Sequence, residues 1–229
     1  MPPKIWAVIP AAGSGRRFSK TALKQYQIIQ DRTVLEHTVQ RLNALSLAGY
    51  VLAISENDSI IQTLNFTQVP HVHFCEGGVE RVHSVLNALT YLSQFANVDD
   101  LVLVHDAARP CVTEDCLKRL VQTAVQENIS AILAIPVRDT LKHVEADRIH
   151  QTVSRQDLWQ AQTPQIAKLG LLKYAIEQAL LNDVNITDEA SALEYIGETV
   201  KVVQGRSDNI KITYADDLEL AKFILSSQK

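Results

Sequence analysis

Two periods of apolar and polar residues interleave along this chain. Ile5–Ile9, Tyr50–Ile54, Leu101–Val104 and Ala131–Ile135 are nearly continuous apolar runs. That is the pattern of strands covered on both faces. Val200–Val203 and Ile210–Thr213 read as two later strands. Between these runs the apolar positions recur near the helical period. Thr33 opens one helix, and Glu36 three residues on makes a capping box with it, followed by Val34, Leu35, Val39, Leu42 and Leu45 on one stripe. Val82, Val85, Leu86, Leu89 and Leu92 mark a second helix. A third starts after Thr113, with Glu114 and Asp115 in a first turn where the helix dipole favours acid, and runs through Leu117, Leu120, Val121 and Ala124. The alternation predicts an α/β fold with a mostly parallel sheet between layers of helices.

Residues 138–160 break this rhythm. They hold few large apolar residues and no helical stripe, and Glu145-Ala146-Asp147 can turn two strands into a hairpin. Such a hairpin is too polar for the core, so it is expected to project. A projecting arm is marginal alone, which points to a second chain packed on it. No repeat or linker divides the sequence. The expectation is one domain over 1–229 with a protruding dimerisation arm at 138–160.

Composition narrows the function. The 229 residues are 46% hydrophobic and 21% charged, ordinary for a globular protein that needs neither disulfide nor metal to hold a core. A net charge of −4 argues against a general nucleic-acid coat, while leaving room for a local basic pocket. No apolar run approaches the ~20 residues of a membrane span. The opening Met-Pro-Pro-Lys-Ile-Trp-Ala-Val-Ile-Pro carries too short an apolar stretch for a secretory signal. Cys75, Cys111 and Cys116 form no C-x-x-C pair, and free thiols in a reducing cytoplasm is the economical reading.

The chemistry concentrates after the apolar runs. Pro10-Ala11-Ala12-Gly13-Ser14-Gly15-Arg16-Arg17-Phe18 follows the first of them. Small residues there let a phosphate approach the backbone. A Rossmann G-x-G-x-x-G needs Gly where Phe18 stands, and a P-loop ending at Lys20-Thr21 needs glycines at Ser14 and Ser19. What remains is a glycine-rich loop with Arg16, Arg17, Lys20 and Lys24: a phosphate cradle, or a tight turn with solvated bases. Leu101–Val104 delivers Asp106 to the carboxyl end of a strand, where open α/β sheets bind ligands. Asp106 serves there either as a turn cap or, opposite a triphosphate loop, as a Mg²⁺ ligand. Gly77-Gly78-Val79-Glu80-Arg81 precedes a helix whose free amides can hold a base or phosphate, and Lys211 lies in a late strand.

Other clusters are weaker. His71, His73 and Cys75 alternate along one run and would share a strand face, but no fourth zinc ligand has suitable spacing. Ser14 and Ser84 lack the G-x-S-x-G elbow of serine hydrolases. Cys111 and Cys116 read as small buried residues rather than reactive thiols.

Taken in order, P-A-A-G-S-G-R-R, L-K-Q-Y (23–26), G-G-V-E-R-V-H-S-V (77–85), V-H-D-A-A-R-P (104–110), P-V-R-D-T-L-K (136–142), T-V-S-R-Q-D-L-W (152–159), Q-T-P-Q (162–165), I-T-D-E-A-S-A-L-E (186–194) and G-R-S-D-N-I-K-I-T (205–213) resemble the 2-C-methyl-D-erythritol 4-phosphate cytidylyltransferases of the non-mevalonate isoprenoid pathway. The resemblance runs from about residue 5 to residue 225. It implies a Rossmann-like sheet and a Mg²⁺-dependent reaction of CTP with methylerythritol phosphate in the bacterial cytoplasm. Position by position, it implies that Arg17 and Lys24 stabilise the transition state and that Arg155 and Lys211 hold the substrate phosphate. Ala11, Ala12, Gly13, Ser14, Gly15, Gly78, Val79, Arg81 and Ser84 bind CTP. Asp106 lies beside the metal and, with Arg109, Thr140 and Thr187, against the methylerythritol. It also implies a homodimer in which Thr140 and Arg155 cross to the partner on the arm. Leu23 stands where the family usually has Pro, and Val79 and His83 where acidic residues are frequent.

Three other readings compete. A ribitol 5-phosphate cytidylyltransferase shares the loop and many motifs. A catalytically silent nucleotide-binding module would not need Arg17, Lys24, Asp106, Arg155 and Lys211 together. An NAD-linked oxidoreductase is disfavoured by Phe18 and by the missing acidic residue at the usual spacing.

Overall fold

The computed structural model describes residues 3–13, 15, 17–19, 22–66 and 71–228. In chain order its elements are β1 (Ile5–Pro10), β2 (Ile28–Ile29), β3 (Arg32–Thr33), α1 (Val34–Leu42), β4 (Gly49–Ile54), β5 (Val72–Glu76), α2 (Arg81–Leu92), β6 (Leu101–Val104), α3 (Glu114–Glu127), β7 (Ser130–Pro136), β8 (Leu141–Glu145), β9 (Arg148–Val153), β10 (Trp159–Lys168), α4 (Leu169–Leu181), α5 (Glu189–Tyr195), β11 (Val200–Gln204) and α6 (Asp216–Ser227). Seven strands form one sheet in the order β11-β7-β10-β6-β1-β4-β5. Every pairing is parallel except those of β10, which runs antiparallel to both β6 and β7.

The continuous apolar runs mean what they were expected to mean. Along β1, β4 and β6 successive side chains alternate between two cores. Ala7, Ile9, Tyr50, Leu52, Leu101 and Leu103 pack with Leu35 and Val39 of α1 and Leu117 and Leu120 of α3. Trp6, Val8, Val51, Ala53, Val102 and Val104 pack with Val85 and Leu89 of α2 and Leu172 and Ile176 of α4. Both cores exclude water, so every position in these strands has to be apolar. The helix starts also hold. Thr33 and Glu36 cap α1 reciprocally, and the Thr113 side chain accepts the Cys116 amide of α3.

Chain order sets where a ligand can enter. From β1 the chain moves outward through β4 to β5, then returns to place β6 on the other side of β1. The loops after β1 and β6 therefore diverge and leave a crevice at the carboxyl edge, the switch point of an open parallel sheet.

One expectation changes. Ile210–Thr213 is not a strand. It crosses the carboxyl edge of the sheet, the Ile212 amide bonds the Ala108 carbonyl, and its side chain buries among Ile29, Val34 and Ala221. Its alternation records one buried side facing a loop, without a ladder. Within 138–160 the strands divide between a hairpin and the main sheet. β8 and β9 pair only with each other in a two-stranded sheet, turned by Ala146 and Asp147, both at positive φ, as in a type I′ hairpin. Trp159 and Gln160 already pair with Pro136 and Ile135 in the main sheet.

The two sheets differ in what truncation costs. Leu103→Ala, in the middle of β6 and fully buried, should cost about 2–5 kcal/mol. Val144→Ala on the hairpin, exposed in the single chain, should change the stability of the dissociated chain by no more than about 0.5 kcal/mol. Denaturant midpoints of the two variants against the parent chain check the contrast.

Candidate active site

The crevice is a cavity of about 360 Å³ lined by both loops, by the turn after β5 and by the 211–213 segment. Gly15 adopts φ +60°, a conformation that suits glycine, and the Phe18 amide closes back on its carbonyl at 2.8 Å. Gln25 donates to the Ala11 carbonyl at 2.9 Å and pins the loop from below. Leu23 packs on the core at φ −77° and its carbonyl accepts from the Tyr26 amide and the Gln27 side chain. That is the backbone angle a proline would impose, so the departure at Leu23 leaves the loop shape intact. On the opposite wall, a side chain at Gly77 would place its Cβ 2.3 Å from that of Ala12, so glycine lets the two loops touch. The Ser84 hydroxyl accepts the Gly78 amide at 3.0 Å and fixes this turn at the start of α2. Val79 is 99% exposed, so only its backbone is positioned to meet a ligand held in the turn. The His83 ring nitrogen Nδ1 is buried with no hydrogen-bond partner.

Asp106 stands at the centre, almost fully buried. Its Oδ1 accepts from Arg81 Nε at 2.9 Å, and its Oδ2 lies 2.8 Å from Lys211 Nζ and 3.3 Å from Arg109 Nε. Burial alone would raise its pKa, but Arg81, Lys211 and Arg109 together pull it well below the usual carboxylate range. Arg81 is held from behind by Glu189 at 2.6 and 3.0 Å. Against the cost of burial, Glu189 and Asp106 raise the Arg81 pKa. The Asp106 amide donates to Thr163 Oγ1, which also meets His105 Nδ1, each at 3.0 Å. Burial pushes His105 down to about 3, so it is neutral and acts as a spacer.

Lys24 is the cation with the most distinctive environment. Its Nζ donates to the Ile212 carbonyl at 2.9 Å. Burial, then Lys211, Arg17 and Arg109, lower its pKa to about 8, and Asp106 opposes them only in part. Arg17 lines the same cavity and is exposed.

A smaller cavity of about 220 Å³ adjoins the first and shares Arg81, Asp106 and Lys211 with it; Arg109, Gln162, Thr163, Thr187 and Asp188 are among its other walls. The structure thus brings together Ala11, Gly13, Gly15, Arg17, Lys24, Gly78, Val79, Arg81, Ser84, Asp106, Arg109, Thr187 and Lys211. Ala12 lies behind the lining against Gly77. Thr140 and Arg155 are exposed at the root of the hairpin and line neither cavity of their own chain. Ser14, Arg16 and Lys20 lie outside the described residues.

The sequence reading missed Glu189, Thr163 and Gln165. Gln165 bridges the Asp188 side chain and the Ala190 amide, each at 2.8 Å, and so sets the start of α5 that presents Glu189. Their only signal was position inside Q-T-P-Q and I-T-D-E. The zinc reading of His71, His73 and Cys75 fails. His73 packs against the rings of Phe95, Tyr91 and Trp6, and the three do not converge on a common point. Burial pushes the Cys75 and Cys111 thiols up to about 11 and 12, which makes both poor nucleophiles.

Comparison with known proteins agrees with this geometry. The model of the family described as 2-C-methyl-D-erythritol 4-phosphate cytidylyltransferase matches residues 5–227. The protein of that name from Acinetobacter baumannii strain SDF is 70% identical over 226 residues, 98% of this chain and 95% of that one. The one from Acinetobacter baylyi is 67% identical over 228 residues, 99% of this chain and 95% of that one. The crystal structure of a 4-diphosphocytidyl-2C-methyl-D-erythritol synthase superposes with a TM-score of 0.85 at 36% identity, covering 98% of this chain and 100% of that one. The Francisella tularensis 2-C-methyl-D-erythritol 4-phosphate cytidylyltransferase gives 0.83 at 36%, covering 96% and 99%.

The lowered pKa of Lys24 has a kinetic consequence. A lysine near 8 is charged below that pH and neutral above it. If the cation is required, kcat/KM for the nucleotide should fall above about pH 8. kcat should hold to higher pH, because bound phosphates favour the charged form. In Lys24→Arg the alkaline fall should vanish from the kcat/KM profile. A profile that stays flat to pH 10 in the parent enzyme contradicts the assignment.

Proposed function

The chain belongs to the 2-C-methyl-D-erythritol 4-phosphate cytidylyltransferase family, and from that premise we infer that its two adjoining cavities divide the reaction between them. The enzyme joins CTP and 2-C-methyl-D-erythritol 4-phosphate to give 4-diphosphocytidyl-2-C-methyl-D-erythritol and pyrophosphate. The larger cavity takes CTP, with the base against the Gly78 turn and the triphosphate along the loop that carries Gly13 and Gly15. The smaller takes the alcohol phosphate between Lys211, Arg109 and Thr187. The observation that carries this reading is their meeting point, where Arg81, Lys211 and Arg109 surround one carboxylate and Lys24 lies within its field. Ribitol 5-phosphate transfer and silent nucleotide binding are not favoured by a family match across the chain.

The nucleophile is a phosphate monoester, anionic at neutral pH, so no general base is required. A neutral, sequestered His105 agrees with that. The obstacle is bringing one anion against another. The chain's own cations lower it by positioning and by meeting charge that builds on the α-phosphorus oxygens. Lys24 is held by the Ile212 carbonyl and half desolvated, so its charge is fixed in direction and poorly screened. Arg17 approaches from the open side. Removing one such preorganised donor costs about 10²–10³ in turnover.

We assign Mg²⁺ to this site with Asp106 as its protein ligand. The donor set fits a cation that arrives with the nucleotide. Both Asp106 oxygens already face cations, so the free pocket repels a bare divalent ion, and triphosphate oxygens supply the missing negative charge. When bound, the ion would neutralise phosphate charge and assist pyrophosphate departure.

We also propose a bacterial cytoplasmic homodimer built through the hairpin. All three cysteines are free. No described helix is long and apolar enough to cross a membrane. Val144 and Ile149 of the hairpin and Trp159 beside it present apolar surface outward. Thr140 and Arg155 stand outside their own chain's cavities, as a contribution to the partner's site requires.

Pyrophosphate release from CTP is the direct test: it should require methylerythritol phosphate and should not be supported by ribitol 5-phosphate. In Asp106→Asn the fold should persist, because Arg81 keeps Glu189 and Lys211 reaches solvent. Turnover should drop and the Mg²⁺ activation curve should move to higher concentration. An unaltered curve removes Asp106 as the metal ligand. For the arm, Arg155→Ala and Lys24→Ala chains, each nearly inactive, should regain activity on mixing toward half of wild type per heterodimer, since one site then carries both defects and the other neither. Heterodimers that form and stay inactive place Arg155 in its own chain's site.

A further inference from the structure

The hairpin carries a second group of potential ligands, far in sequence from the loops that line the crevice. His143 and Glu145 lie two residues apart on β8 and so share a face. His150 is on β9, where strict alternation would send it to the opposite face from Gln151. The register prevents this. His143 pairs with Gln151 and Val144 pairs with Ile149, which leaves His150 as the extra residue of a β-bulge. In a bulge two residues oppose one partner and the extra side chain is re-aimed. Here His150 turns toward His143, with ring centroids 5.5 Å apart and the rings nearly perpendicular. His143 Nε2 is 3.9 Å from Glu145 Oε1, and one ligand atom from each of the three residues lies within 4.8 Å of the others.

These separations are close to those of a coordination shell. Two donors each about 2.1 Å from a tetrahedral ion stand about 3.4 Å apart, so small side-chain rotations close the set. Two imidazoles and a carboxylate suit a divalent transition metal over Mg²⁺ or Ca²⁺, which prefer all-oxygen shells. All three side chains are exposed in the single chain, which leaves a fourth position for water. Among the described residues this is the one such grouping of histidine, cysteine and carboxylate ligands. Arg148 is the register partner of Glu145 and is the charge an incoming ion must compete with.

We propose that His143, Glu145 and His150 form a zinc-type metal site that ties β8 to β9 and stiffens the projecting hairpin. Within the chain the two strands pair only with each other. An ion bridging both strands supplies a cross-link between them. The proposal is independent of the catalytic assignments.

The test is zinc titration of chelator-stripped full-length protein against a chromophoric competitor, with amide hydrogen exchange over residues 141–153. Wild type should retain one equivalent per chain, with slower hairpin exchange when it is bound. His143→Ala and His150→Ala should lose the equivalent, and Glu145→Gln should hold it more weakly. Thr152→Ala, on the other face, should behave as wild type. These side chains are exposed, so the variants should fold, and circular dichroism verifies it. No retained equivalent in wild type overturns the proposal. So does an equivalent kept undiminished by His150→Ala, or one that leaves hairpin exchange unchanged.

Discussion

Asp106 is buried with both oxygens engaged by cations: Arg109 three residues on in its own loop after β6, and, from two distant stretches of the chain, Arg81 at the start of α2 and Lys211 of the 211–213 segment. Sequestering a carboxylate costs several kcal/mol unless it is closely paired, so this one is tolerable only where both distant segments have joined the loop that carries Asp106 and Arg109. The same constraint extends outward. Arg81 is itself balanced by Glu189, whose place depends on Gln165 bonding the Ala190 amide. Thr163 holds the Asp106 backbone from β10. The antiparallel strand in an otherwise parallel sheet thus carries side chains that fix the site's central charge.

This arrangement leaves the pocket with unspent positive charge. Across the two cavities Arg17, Lys24, Arg81, Arg109 and Lys211 outnumber Glu80, Asp106 and Asp188, while the protein as a whole carries a net charge of −4. The field that attracts a triphosphate is therefore local, and low-dielectric walls focus it. Partial burial of Lys24 shows what such focusing costs, since its proton is less firmly held than that of an ordinary lysine.

Much of the frame was legible because the physics is local or periodic. Ile5–Ile9, Tyr50–Ile54 and Leu101–Val104 had to be strands buried on both faces, and the Thr33/Glu36 box had to start a helix. Asp106 could be placed because strand ends in open sheets meet at a switch point. Ile210–Thr213 misled because alternation reports burial, and a chain segment can bury one side against a loop as well as against a strand. Glu189 and Thr163 were hidden for a different reason. Their roles come from pairing across 108 and 57 residues, and short-range spacing says nothing about such pairs. Thr140 and Arg155 became conspicuous only through the motifs they belong to, since neither touches its own chain's pocket.

The hydrogen bond from Lys24 to the Ile212 carbonyl joins residues 188 positions apart. During synthesis the glycine-rich loop is made well before residues 211–213, and β1, β4 and β6 can begin to pair before that segment exists. Lys24 then lacks the carbonyl that aims it, and Asp106 lacks Lys211. A chain in which residues 211–213 are not yet made is thus unable to present a finished nucleotide pocket, however completely the strands before them have paired.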